Sequence, residues 1–223
     1  MSQYIQIIKN KLNRLISLDK ELNIFGASIH RYQFNSVANE ALLHKFEVSN
    51  KCIFPKEYRD FLLYIGNGGA GPGYGVFPMG MMDDGFDLSP WDGEFVQPEK
   101  QFPFSEALND TSILERGEPK KDDSLNSEEY EKKYDQWWDR YGEKLQLEYW
   151  EKHALIGAIP IAHHGCAYRS WLVVSKGQEY GKVWQDDTAD SGGVYPLQSQ
   201  TLARYTFYDW YLEWLDKSID ELS

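Results

Sequence analysis

Residues 168–197 read YRSWLVVSKGQEYGKVWQDDTADSGGVYPL, and this stretch decides the architecture. Tyr168–Ser175 is a β-branched and aromatic run, and Gly181–Gln185 alternates. The KGQEYG link carries a glycine near each end, so the two runs read as a hairpin. A further short strand is predicted at Val194–Leu197, after DDTADSGG. Upstream, His153–Ala162 is largely apolar and reads as a strand. Downstream the period changes. Phe207, Trp210, Tyr211, Trp214 and Leu215 fall at i, i+3, i+4, i+7 and i+8, which predicts a core-facing helix. Thr206 is its N-cap, with Asp209 three residues on as a capping-box partner.

Working back to the start, Ile5, Ile8, Leu12 and Leu15 predict an amphipathic helix over about 2–18, and a shorter one is expected near 37–46. Pro55 opens a third, with Tyr58, Phe61, Leu62 and Ile65 as its apolar stripe and Gly66 as its stop. Residues 66–75, GNGGAGPGYG, form a sharp excursion before a short strand at Val76–Met79. They are not a phosphate loop. No lysine lies between Lys56 and Lys100, and the order helix–loop–strand is the reverse of a dinucleotide fingerprint. Residues 115–152 hold twelve acids and eight bases, with Tyr130, Tyr134, Trp137, Trp138, Tyr141, Leu145 and Tyr149 three or four apart. This predicts a surface helix over about 127–150, capped by Ser127 and weakened at Gly142, inside an insertion. The whole is an α+β domain spanning 1–223: a mixed, largely antiparallel sheet flanked by helices, with a helical insertion at about 115–152.

Charge narrows the function. The chain carries −12 overall, with six acids and no base in 83–99 and nine acids against three bases in 179–223. Such a field repels phosphate backbones, which argues against nucleic acid, and attracts a basic partner. No apolar run reaches membrane-spanning length, and the start is broken by Lys9, Asn10 and Lys11, unlike a signal peptide. Cys52 and Cys166 lie far apart and are expected as reduced thiols in a cytoplasmic protein.

Three stretches together resemble the SUKH superfamily. They are FPKEYRDFL at 54–62, running into Asn67-Gly68-Gly69, Gly71–Gly75 and Phe77-Pro78; then WLVVS at 171–175 with Gly181-Lys182-Val183-Trp184 and Asp186-Asp187; and GGVYPL at 192–197 leading to the last helix. The superfamily includes fungal cell-wall-assembly regulators and bacterial immunity proteins. The resemblance implies a mixed sheet flanked by helices and no catalytic centre. For bacterial members it implies neutralisation of a toxin, often a nuclease or deaminase, by direct binding; for the fungal ones it implies a regulatory scaffold. The long 80–152 region departs from the simpler family pattern.

Three constellations could carry chemistry. His163, His164 and Cys166, with Cys52, His153, Asp186 or Asp187 as distant ligands, form a weak metal set, because adjacent strand residues point to opposite faces. Cys166 beside either histidine is a possible nucleophile, without an orienting group in view. The acids Asp83, Asp84, Asp87, Asp92 and Glu94 interleave with Phe86, Trp91 and Phe95, without calcium-loop spacing. This last set, joined by Asp186, Asp187 and Asp190, is expected to contact a basic protein partner, with Trp91 as the anchor. No cofactor, no metal and no catalysis are expected.

Overall fold

The computed structural model describes residues 2–84, 87–93, 95–121, 126–201 and 203–223, with the backbone alone at Asp84. The N-terminal third is helical: α1 (Gln3–Leu18), the single turn α2 (Ala27–His30), α3 (Glu40–Ser49) and α4 (Lys56–Tyr64). A two-stranded hairpin, β1 (Met81–Asp84) and β2 (Asp87–Pro90), follows, then α5 (Ser127–Lys152). Four strands form the main sheet: β3 (Ala158–His163), β4 (Arg169–Val173), β5 (Val183–Asp187) and β6 (Gly193–Pro196). The chain closes with α6 (Phe207–Glu221).

The α+β expectation holds, and the main sheet runs in simple order β3-β4-β5-β6. Every pairing among the described residues is antiparallel, so the sheet is not mixed. Short turns at 164–168 and 188–192 connect the strands, and such links can only return the chain antiparallel. Both sheet edges are covered. Tyr74 and Phe77 donate to the His163 and Ile161 carbonyls along β3, and Leu108 exchanges two hydrogen bonds with Val194 on β6.

One face of the sheet carries Ile159, Leu172 and Val183, all without exposed surface. These belong to the core that α1, α4 and α6 share, where the rings of Phe61, Phe207 and Tyr211 pack with centroids 5.2–6.1 Å apart. Capping fixes α6 as expected: Thr206 accepts from Asp209 N while the Asp209 carboxylate accepts from Thr206 N at 2.9 Å. The opposite face carries Arg169, Trp171, Trp184 and Asp186. The segment after the hairpin covers its far end, with Phe102 edge-on to Trp184 at 5.0 Å.

The glycine loop is structural. A Cβ on Gly73 would stand 2.3 Å from the His163 carbonyl oxygen, so only glycine lets the loop lie on β3. Three local expectations are corrected. No strand forms at 76–79; Val76 makes isolated bridges to Gly69 and Ala162. The strand expected from His153 begins at Ala158, because His153 caps α5. Finally, α5 is capped by Asn126, with Glu129 completing a capping box, and passes Gly142 unbroken. There the Trp138 ring folds over the helix and would meet an added Cβ at 2.7 Å, so packing offsets glycine's poor propensity.

Candidate functional site

The antiparallel register places the C-terminal ends of β3 and β5 beside the N-terminal ends of β4 and β6. Arg169, the first residue of β4, sits there opposite Asp186 and His163. Its guanidinium donates from Nε to Asp83 Oδ1 at 2.8 Å and from Nη2 to Asp83 Oδ2 at 2.7 Å. The fork geometry suits a carboxylate on both oxygens and ties the β1–β2 hairpin to the sheet. Burial alone would raise the Asp83 pKa, but these charge-assisted bonds hold it below the usual carboxylate value. The two acidic segments of the sequence therefore meet at one end of the sheet, with a single arginine between them.

The expected contact residues divide into two groups. Asp83 is buried by its arginine, and Asp186 is 8% exposed, its Oδ1 accepting from Thr188 N and Oγ1. Trp91 is half-buried: its Nε1 donates to the Met81 carbonyl at 3.0 Å and its ring meets Phe46 edge-on. It closes the hairpin against the core with part of its surface still exposed. Asp87 and Asp92 are exposed, and Asp190 is exposed while accepting from the Tyr168 hydroxyl at 2.9 Å. Asp187 is half-buried beside Gly192, where burial raises its carboxyl pKa. The Asp84 side chain, Phe86 and Glu94 lie outside the described residues.

The His–Cys constellation does not converge. His164 Nε2 is 2.7 Å from Ser170 Oγ, and burial holds its imidazole down at about 4. Cys166 is exposed in a left-handed turn, and Cys52 is buried elsewhere with its thiol pushed up to about 12, by burial first. His153 accepts from Asp110 N through Nε2 and donates from Nδ1 to Tyr149 O, holding the backbone at Asp110 to the end of α5. Among the described residues no group of three His, Cys, Asp or Glu side chains is placed to hold a metal.

Beside the arginine lies a groove of about 720 Å³ that sequence reasoning missed. Its floor is Trp171 of β4 with Arg169 and Asp186; its walls are the end of α5, from Leu147 to His153, and the segment at Phe95. Phe95, Leu147 and Trp150 remain 65%, 50% and 46% exposed. Leu147 and Trp150 point away from the stripe that anchors α5, where Trp137, Leu145 and Tyr149 pack with Ile113 as a separate small core. One sequence signal existed for this site. Arg169 is a lone base heading an apolar strand, and such a charge needs partners. No helix among the described residues is long and apolar enough to cross a membrane.

No protein-family model, curated protein or solved structure significantly matches this chain.

Proposed function

We propose that this chain is a SUKH-type immunity protein of the cytoplasm, a non-enzymatic module that neutralises a basic, nuclease-type toxin domain by binding it. The observation that carries this reading is that Asp83 and Asp186, one from each acidic segment, come together at Arg169. Asp83 and Asp186 are consumed in holding that junction together. Asp87, Asp92 and Asp190 remain exposed to set the local potential. With a chain charge of −12 behind them, they favour encounter with a cationic surface and repel nucleic acid, so the protein competes with a nuclease's substrate by occupying its basic groove.

The test is direct. The product of the adjacent gene is purified and its nuclease activity titrated with this protein. Inhibition reaching completion at a fixed stoichiometry, with an association rate that falls with salt and with Asp87→Lys plus Asp190→Lys, supports the reading. A neighbouring product that neither binds nor is inhibited overturns it, as does turnover of a substrate by the pure protein.

A further inference from the structure

The groove under the end of α5 has more specific chemistry than a general contact surface. Three half-exposed apolar side chains, Phe95, Leu147 and Trp150, come from two separate segments and face one space. About 720 Å³ is within the range of sites that bury a ligand, and larger than one side chain needs. On its floor Trp171 is only 3% exposed, and its Nε1 has no hydrogen-bond acceptor among the described residues. That nitrogen is itself buried, so the indole serves the groove as an apolar floor. Arg169 is the one Lys or Arg in the lining, and both oxygens of Asp83 already bind it, with Asp186 opposite. Glu151 adds a further acid to the wall. The residual potential is negative.

We propose that this groove receives a cationic segment of the protein partner, which inserts one aliphatic or aromatic side chain over the Trp171 floor. The inference rests on the binding reading above and says where the partner's anchor enters. The apolar walls desolvate the inserted side chain, and the acids select a basic flank over an acidic one.

The experiment uses the full-length, ¹⁵N-labelled chain and two probes: an acetylated Arg-Leu-Phe-Lys amide and its counterpart with glutamate at both ends. The Trp171 indole resonance is identified by its loss in Trp171→Phe. The basic peptide should shift that resonance saturably, and the acidic one should bind about tenfold more weakly, a difference near 1.4 kcal/mol. Trp150→Ala and Leu147→Ala, at half-exposed positions that the fold does not need, should each weaken the basic peptide several-fold. An unmoved Trp171 resonance, equal binding of both peptides, or indifference to both wall substitutions overturns the proposal. The two readings separate. Toxin inhibition that survives both wall substitutions sinks the groove alone, and groove binding by a chain that ignores its neighbour's product sinks the immunity role alone.

Discussion

The Asp83–Arg169 clamp gives the sharpest prediction. Side-chain exposure is 8% for Asp83 and 17% for Arg169, and two charge-assisted hydrogen bonds join them. In Asp83→Ala the guanidinium keeps its burial and loses its main counter-charge. Removing one partner of a fully buried pair costs about 3–5 kcal/mol. Here the residual exposure of Arg169 and the neighbouring Asp186 lower that to about 2–3 kcal/mol. Arg169→Met in the same chain removes the orphaned charge and should recover at least half the loss, so the coupling energy in a double-mutant cycle is at least about 1 kcal/mol, increased by whatever Arg169→Met costs alone. Urea unfolding near neutral pH measures all four proteins. Because the folded pKa of Asp83 is lowered, its contribution is present above the unfolded value and disappears as pH falls through the folded one. A loss below about 0.5 kcal/mol with additive single substitutions would equal that of an exposed ion pair and refute the reasoning. It also follows that lysine at position 83 would report on folding and not on association with a partner.

Three further outcomes are expected. Burial holds His30 and His164 down at about 4. The unfolded chain therefore binds more protons than the folded one between about pH 6.5 and 4, and stability should fall by roughly 2 kcal/mol per histidine across that window; a flat urea midpoint there would contradict it. Gly26 has φ +79°, and a Cβ would lie 1.8 Å from the Gly73 carbonyl oxygen, so Gly26→Ala should cost at least about 2 kcal/mol, measurable as a lowered Tm. Cys166 should react with a thiol reagent in the native protein and Cys52 only after unfolding; two equally fast thiols would show the 52–54 segment to be open.

The sequence by itself determined the elements whose signals are local. The 3.6-residue stripes of α1, α4 and α6, the Thr206–Asp209 cap and the KGQEYG hairpin follow from side-chain period and backbone preference within a few residues. It also gave the negative potential, since charge is a sum over residues. The boundaries at Val76 and His153 were not legible, because a ladder partner and a cap across the chain decide them. The division of the candidate acids was equally hidden. Asp83 and Asp87 look alike in sequence, yet one is spent on Arg169 of another strand and the other stays in water. The groove belongs wholly to tertiary structure: Phe95, Trp150 and Trp171 become neighbours only when the end of α5 lies over the sheet, and no period along the chain encodes a contact between segments so far apart.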